Sequence, residues 1–137
     1  MICHNFVYEG RILEALCRRM ELKFAALRGE VRDKDGQYEK FVDPKKNCNV
    51  LIFHPQSAGE GLNMQMAHHT IFFSFAFLGV IMRQQVIGRT VRAGQKHPCT
   101  IHDLIMVDSI EEARYDRLNE DVTNSQILLD YIRGASA

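Results

Sequence analysis

A run of four large apolar side chains, Val50-Leu51-Ile52-Phe53, constrains the fold of this chain more than any other feature. A strand with one face in water alternates apolar and polar residues, whereas a parallel strand covered on both faces is apolar throughout. We therefore expect residues 49–54 to form a buried parallel strand. Parallel strands need long crossover connections, usually helices, so this run predicts that strands and helices alternate along the chain.

The rest of the chain supplies that alternation. Apolar runs predict further strands at residues 1–7, 23–27, 69–74 and 100–107. Helical spacing of apolar residues predicts helices at residues 9–20, at residues 80–92 and from Ser109 onward, with one more beginning near Gly61. We predict an α/β fold with a mainly parallel sheet of about five strands and helices on both faces. The expected organisation is a single domain over residues 1–137, with residues 133–137 as a frayed tail.

Two local signals refine this outline. Ser109 and Glu112 stand three residues apart at the start of the last predicted helix, which is the spacing of a capping box. Residues 30–47 are highly charged and predict a solvated loop with a turn at Asp35-Gly36. Within that loop we expect Tyr38 and Phe41 to anchor one helical turn.

Composition excludes several classes of protein. The 137 residues are enough for one domain with a core, and 46% apolar with 25% charged residues is ordinary for a globular protein. Lys+Arg and Asp+Glu both number 17, which argues against a polybasic binder. The four cysteines form no C-x-x-C pair, so we expect reduced thiols and neither a disulfide framework nor a zinc site. No apolar run reaches the length of a membrane helix, and no secretion signal is visible.

The pattern Gln85-x-x-Gly88-Arg89-x-x-Arg92 carries the clearest chemistry. Read as part of the predicted helix, it places Gln85, Arg89 and Arg92 on one face. Two guanidinium groups there suit a polyphosphate, because guanidinium stays charged and forks onto phosphate oxygens. Gly88 costs a helix about 1 kcal/mol relative to Ala, which suggests that some group passes close to the backbone. The alternative is a solvated basic helix face.

A second pattern, Ser57-Ala58-Gly59-Glu60-Gly61-Leu62-Asn63, follows the apolar strand. Its two glycines allow tight backbone geometry and the close approach of a partner. Free amides at the start of a helix can receive a phosphate or a carboxylate. The alternative is a plain turn between strand and helix, and the spacing of a dinucleotide site is absent. In parallel sheets ligands bind beyond the carboxyl ends of strands, so both patterns are expected at that edge.

Together these residues resemble a known family. Gln85-x-x-Gly88-Arg89-x-x-Arg92 is identified as the sixth motif of superfamily 2 helicases and translocases, and the trailing Gly94-Gln95 resembles its Swi/Snf-type branch, including phage and bacterial relatives. The pattern at residues 57–63 is similar to the fifth motif of that branch. Looser similarities at residues 2–6 and 109–112 extend the resemblance over nearly the whole chain. It implies a RecA-like three-layer sandwich, the second lobe of a helicase motor.

The resemblance also implies roles for single residues. Arg92 would be the arginine finger, Arg89 a γ-phosphate contact and Gln85 an orienting residue. Three further residues would lie near ATP: Gly61, Asn63 and Gly88. Three others would contact the nucleic-acid backbone: Ser57, Ala58 and Gly59.

Half of such a motor is missing from the sequence. The phosphate-binding loop needs a Gly-Lys dipeptide and the magnesium site an acidic pair, and the chain has neither a Gly-Lys nor an Asp-Glu dipeptide. Both belong to the first RecA-like lobe of the family. We therefore expect ATP and Mg²⁺ to bind only together with a first lobe, and the isolated chain to be inactive. The expected partners are that lobe and DNA, with RNA as the alternative and no membrane, in a bacterial or phage-infected host cytosol.

Two other functions stay open at this stage. A non-catalytic nucleic-acid or protein interaction module could share the fold, although it would have no need of Arg89 and Arg92. A small-molecule enzyme of doubly wound fold lacks any nucleophile–base pair to support it. The abrupt start on a strand predicts a fragment of a longer protein.

Overall fold

A five-stranded parallel sheet forms the centre of the computed structural model, which describes residues 1–58, 61–74 and 79–116. Its strands lie in the order β2-β3-β1-β4-β5. Their bounds are β1 Ile2–Cys3, β2 Phe24–Leu27, β3 Val50–Phe53, β4 His69–Phe72 and β5 Thr100–Asp103. In the register Ile2 lies beside Ile52 on one side and Ile71 on the other. The predicted strands are therefore all present, and each is shorter than expected.

Helices cover both faces of this sheet. Their bounds are α1 Val7–Arg19, α2 Lys34–Val42, α3 Val80–Ile87 and α4 Ile110–Asp116. On one face, Leu13 and Cys17 of α1 pack with Ile52. On the other, Phe41 of α2 and Val86 of α3 join the cluster around the opposite side of the sheet. The predicted three-layer α/β sandwich of RecA-like type is confirmed.

The direction of the crossovers explains which face each helix covers. Connections between parallel strands are almost always right-handed. The chain moves outward from β1 to the edge strand β2, so α1 lies on one face. It then moves back across the sheet through β3 and β4 to β5, so α2 and α3 lie on the other face. The connections before and after β4 therefore share one face of the sheet.

The buried side of α1 differs from the predicted apolar stripe. The apolar residues whose spacing predicts this helix are Ile12, Leu13, Leu16 and Met20, and of these only Leu13 is buried by the described residues. The helix instead turns Leu13 and Cys17 inward together with Glu14, whose carboxylate accepts a hydrogen bond of 2.7 Å from Arg28 Nε. A buried carboxylate is tolerated there because Arg28 supplies the opposite charge.

Residues 30–47 form more regular structure than a solvated loop. Helix α2 begins after Asp33, whose side chain accepts a hydrogen bond of 2.9 Å from Gly36 N, so Asp35-Gly36 lies in the first helical turn. Phe41 is buried and Tyr38 packs against the same cluster. The prediction of a loop was wrong because the local sequence favours helix only weakly here. Packing of these two aromatic side chains against the core stabilises two turns of helix.

Three other boundaries also differ from the prediction. The helix expected to begin near Gly61 is not found in residues 61–68, and Gly61 lies in a turn at a φ of +84°. Helix α3 ends at Ile87, five residues before the predicted end. At α4, Ser109 Oγ accepts a hydrogen bond of 3.1 Å from Glu111 N, as predicted for a helix cap. The Glu112 carboxylate accepts a hydrogen bond of 2.8 Å from Asp108 N, whereas in a capping box it would accept one from the amide of the cap residue Ser109.

The predicted tail at residues 133–137 lies outside the described residues. Within the described part of the chain, none of the helices has the length and apolar character needed to cross a bilayer.

Candidate functional site

The segment after β3 begins with a tight turn. Ser57 N and Ala58 N both donate to His54 O, at 3.0 and 3.2 Å. This turn buries the Ala58 methyl in the core, at 1% exposure, and leaves Ser57 half-buried. A contact between Ala58 and a nucleic acid would therefore use its backbone. Gly59, predicted to join that contact, lies outside the described residues.

The same segment continues across one face of the sheet as an irregular loop. Its Asn63 backbone oxygen accepts a hydrogen bond of 2.7 Å from Tyr38 Oη on α2. The Asn63 side chain closes a local turn, accepting from Gln65 N at 3.1 Å and donating to Gln65 Oε1 at 3.2 Å. Gly61 is exposed, with the positive φ that a residue with a side chain rarely adopts. The loop is thus held by an aromatic side chain of α2 and by its own polar side chains.

Helix α3 carries the other set of candidate residues only in part. Gln85 is exposed in its last turn, whereas Arg89 and Arg92 come from the hydrogen-bonded turns that follow Ile87. In those turns Val91 N donates to Ile87 O at 2.8 Å and Gln95 N donates to Arg92 O at 3.0 Å. The prediction that Gln85, Arg89 and Arg92 share one face of a continuous helix is therefore wrong.

Gly88 is the residue that caps α3. It is exposed, its φ of −63° is an ordinary helical value, and an added Cβ would meet the helix's own Gln84 oxygen at 3.3 Å. No group from another described segment comes close to it. The close approach of another group that the sequence predicts at Gly88 is therefore not made by the described residues.

The environments of the two candidate arginines differ. Arg89 is half-buried, and its Nη1 is fully buried without a hydrogen-bond partner among the described residues. Burial lowers the pKa of Arg89, since desolvation disfavours the charged form, while the nearby Cys3 thiol acts in the opposite direction. Arg92 is exposed and makes no ion pair with any described residue. Both guanidinium groups retain unused hydrogen-bond donors.

The chain brings these arginines next to the loop after β3. Met64 N donates a hydrogen bond of 3.0 Å to Arg89 O, so Arg89 lies beside a residue only three positions beyond Gly61. Side chains of Gln65 and Gln95 add further bonds between the two segments. Met64 and Gln65, which follow the first pattern, are therefore hydrogen-bonded neighbours of the segment that carries Arg89 and Arg92.

A network at the carboxyl ends of the strands was not foreseen from the sequence. Glu9 Oε2 accepts hydrogen bonds from Asn5 N at 2.9 Å, Phe6 N at 3.1 Å and Ser74 Oγ at 2.9 Å. His54 Nε2 lies 3.1 Å from Asn5 O. These bonds join the exits of β1, β3 and β4, which no spacing along the chain reveals.

Two cavities lie at opposite ends of the strands. One of about 230 Å³ is at the carboxyl end, lined in part by Asn5, His54 and Gln56. A larger one of about 430 Å³ is at the amino end, lined in part by Pro44 and His69. No candidate residue lines the larger cavity, so its size does not mark the functional site.

Arg83, a third arginine of α3, has a different environment. Its guanidinium donates to both carboxylate oxygens of Asp103, at 2.5 and 2.9 Å, and lies 4.3 Å from the centre of the Phe72 ring. Both partners of the ion pair are about nine-tenths buried. The pair, which no pattern in the sequence indicates, ties α3 to β5.

A metal site is not found in the described part of the chain, where no three His, Cys, Asp or Glu side chains cluster. Among the described residues, Arg89 and Arg92 bring guanidinium donors without ion-pair partners to the segment that is bonded to this loop. They suit an anion, and the donor set of guanidinium and amide groups suits phosphate oxygens.

Comparison with known proteins agrees with this geometry. The model of the helicase conserved C-terminal domain matches residues 1–94. The DNA repair and recombination protein RAD54-like of Drosophila persimilis is 26% identical over 132 residues, which are 95% of this chain and 17% of that protein. The DNA repair protein rhp54 of Schizosaccharomyces pombe is 26% identical over 132 residues, 95% of this chain and 15% of that protein.

The fold has a solved counterpart as well. The crystal structure of the C-terminal part of the Fun30 ATPase domain superposes with a TM-score of 0.76 at 27% identity, covering 89% of this chain and 39% of that one. The chain spans less than a fifth of the length of the curated relatives named above. It belongs to the helicase conserved C-terminal domain family, as a C-terminal RecA-like lobe of the Swi/Snf-type branch of superfamily 2.

Proposed function

We propose that this chain is the second motor lobe of a DNA-dependent ATPase that acts as a helicase or translocase. The observation that carries the proposal is the guanidinium of Arg89, which is partly desolvated and has a buried Nη1 without a partner among the described residues. A buried donor without a partner is costly and rare in native proteins. An anionic ligand brought by another protein surface would satisfy it.

The arrangement suits a triphosphate held by a first lobe. In that lobe, bound ATP and Mg²⁺ would supply the γ-phosphoryl group and the metal charge. Arg89 would contact the γ-phosphate, and the exposed Arg92 would reach it as the arginine finger when the lobes close. Gln85, in the last turn of α3, would orient the reacting groups, while Gly61, Asn63 and Gly88 would lie on the same side. Positive charges already desolvated and fixed in place stabilise developing negative charge more strongly than charges in water.

DNA is the proposed track for the motor. The Drosophila persimilis relative is named as a DNA repair and recombination protein and the Schizosaccharomyces pombe relative as a DNA repair protein. On this chain the strand would lie along the segment after β3, against Ser57 and the backbone of Ala58 and Gly59. The net charge of zero predicts weak binding by this chain alone, because phosphate contacts by Lys and Arg dominate such affinity. RNA is the alternative substrate.

The test is phosphate release by this chain combined with its first lobe, in the presence and absence of duplex DNA. The Arg92→Ala variant is expected to lose about 10³-fold of the DNA-stimulated rate, since a finger contributes roughly 10³–10⁵. Arg19→Ala, which removes an exposed arginine at the end of α1, is the matched control and should leave the rate unchanged. The chain without a first lobe should release no phosphate.

Wild-type rates in the Arg92→Ala variant would refute the proposed role. DNA binding by the combined lobes without any ATP turnover would favour the second candidate, a non-catalytic interaction module of the same fold.

A further inference from the structure

One peptide unit of the loop after β3 is hydrogen-bonded at both its oxygen and its nitrogen. It joins Asn63 to Met64, and we call it the 63–64 peptide. Its oxygen, Asn63 O, accepts a hydrogen bond of 2.7 Å from Tyr38 Oη on α2. Its nitrogen, Met64 N, donates a hydrogen bond of 3.0 Å to Arg89 O. Tyr38 is not among the residues assigned above to ATP or to nucleic acid.

The planarity of the peptide makes this a direct connection. The C=O and N–H groups of one peptide lie in a plane, and in the trans form, which the described peptides adopt, they point in opposite directions. The Tyr38 hydroxyl on one side therefore orients the N–H that binds Arg89 O on the other side. A hydrogen bond accepted by the oxygen also polarises the N–H and strengthens the bond that it donates.

Helix α2 is fixed to the edge of the sheet, which restrains Tyr38. Gln37 Oε1 accepts a hydrogen bond of 3.0 Å from Ala26 N, and Lys40 Nζ donates one of 2.6 Å to Phe24 O. The Tyr38 ring also packs against the core cluster on that face of the sheet. A packed ring on a fixed helix gives its hydroxyl a defined place, which is what a group that orients a functional residue requires.

The loop itself is held mainly by apolar contacts on either side of Asn63. Met64 is fully buried, and Leu62 packs against the same cluster. The hydrophobic effect is non-directional, so these contacts hold the loop on the core without setting the rotation of the 63–64 peptide. The bonds to Tyr38 Oη and Arg89 O supply the direction.

The backbone at Arg89 lies in the turn that follows α3. Arg89 N donates to Val86 O at 3.2 Å, and Arg89 O accepts from Met64 N. The described residues give the buried Nη1 of Arg89 no hydrogen-bond partner. These backbone bonds therefore determine the point from which the guanidinium projects.

We propose that Tyr38 is a positioning residue for Arg89 and acts through the 63–64 peptide. This inference rests on the proposed function, in which Arg89 contacts the γ-phosphate of ATP held by a first lobe. Without the Tyr38 hydroxyl the 63–64 peptide rotates more freely, and the bond from Met64 N to Arg89 O weakens. The guanidinium is then displaced from the γ-phosphate, and a small displacement of a group that acts on the reacting atoms slows the reaction.

The test variant is Tyr38→Phe, which removes the hydroxyl and keeps the packed ring. The matched control is Tyr8→Phe, which makes the same change on α1, at a residue that is 73% exposed. Each variant is combined with the first lobe and duplex DNA, and kcat and KM for ATP are measured. We expect kcat to fall about three- to tenfold in Tyr38→Phe, an effect typical of one hydrogen bond.

The KM for ATP should stay within about twofold of wild type, because the first lobe provides the phosphate-binding loop. The Tyr8→Phe variant should match wild type in both kinetic constants.

A second measurement needs no ATP. Hydrogen exchange at the Met64 amide in this chain alone reports the bond to Arg89 O, and it should become about three- to tenfold faster in Tyr38→Phe. The amides of Leu51 and Ile52 in β3 should keep their wild-type exchange rates, because the fold stays intact.

A wild-type kcat in Tyr38→Phe would overturn the proposal, as would a change in KM alone or a wild-type exchange rate at the Met64 amide. Faster exchange at Leu51 and Ile52 would overturn it too, because Tyr38 would then stabilise the fold as a whole.

Arg89→Ala separates this proposal from the proposed function. If that variant abolishes hydrolysis while Tyr38→Phe keeps the full kcat, the proposed function stands and the positioning role fails. If Arg89→Ala keeps the wild-type rate, the proposed role of Arg89 fails, whatever the exchange rate at Met64.

Discussion

Three arginines within ten residues, Arg83, Arg89 and Arg92, have three different environments. Arg83 forms a buried ion pair, Arg89 is partly desolvated with one nitrogen lacking a partner among the described residues, and Arg92 is exposed. Sequence spacing distinguishes Arg89 and Arg92 from Arg83 through the family pattern, but it contains no information on burial. All three residues are arginines, so the ion pairs and hydrogen bonds that each one makes decide which guanidinium group is available to a ligand.

Burial of the Cys3 thiol near Arg89 leads to a prediction about how the stability of the protein depends on pH. Burial raises the pKa of the Cys3 thiol from 9.0 to about 12, against the opposing effect of Arg89. Between these values the unfolded chain releases the thiol proton and the folded chain keeps it, so the free energy of unfolding falls as pH rises above 9. By pH 10 the loss from this group should be about 1.4 kcal/mol.

Urea unfolding of wild type and Cys3→Ala at pH 8, 9 and 10 measures this loss. Wild type should lose more stability with pH than the variant does. Parallel pH dependence of the two proteins would show that the Cys3 thiol ionises as easily in the folded state as in the unfolded state.

At the scale of elements, the strands were the most predictable part of the chain. The apolar run in β3 and the apolar centres of the other strands are local signals, and each predicted strand is present. Helix ends were less predictable, because long-range contacts decide them. Helix α3 stops at Ile87, and the backbone after it bonds instead to Met64, Gln65 and Gln95. No local pattern at residues 88–95 indicates those partners.

The ion pair between α3 and β5 leads to a prediction at this scale. Asp103→Ala removes a carboxylate that accepts two hydrogen bonds from Arg83 in a nearly dry site. The free energy of unfolding should fall by about 3–5 kcal/mol, the usual cost of removing one partner of a buried ion pair. Chemical denaturation of the variant against wild type measures the loss.

The double variant Arg83→Leu/Asp103→Leu provides the control for that measurement. It removes both charges and should be less destabilised than Asp103→Ala, because apolar replacements of a buried pair are often nearly neutral. A loss below about 1 kcal/mol in Asp103→Ala would contradict this prediction, because a contribution of that size is typical of an exposed ion pair.

At the scale of the whole molecule, the candidate site was predictable as a list of residues but not as a surface. The family patterns point to Gln85, Arg89, Arg92 and residues 57–63, while the bonds between the arginine segment and the loop after β3 join residues about 25–30 positions apart. Such contacts depend on the crossover geometry of the sheet. Glu9 and Ser74 entered the network at the strand exits for the same reason, with 65 positions between them.

The described surface has the character of half a site. It presents cationic groups with unused donors, and the sequence contains no Gly-Lys loop to hold the phosphates that would satisfy them. A first lobe that binds ATP is the simplest source of an anion for these groups. The proposed function therefore requires the guanidinium groups of Arg89 and Arg92 to lie close to the nucleotide that this lobe binds.

The most direct measurement is a structure of this chain combined with its first lobe, duplex DNA, Mg²⁺ and ADP with aluminium fluoride, which imitates the γ-phosphoryl group in transfer. The account predicts that guanidinium nitrogens of Arg89 and Arg92 lie about 2.7–2.9 Å from the fluoride or phosphate atoms at the γ position. Both arginines lying more than about 4 Å from any of those atoms would contradict it, because no direct ion pair would then exist.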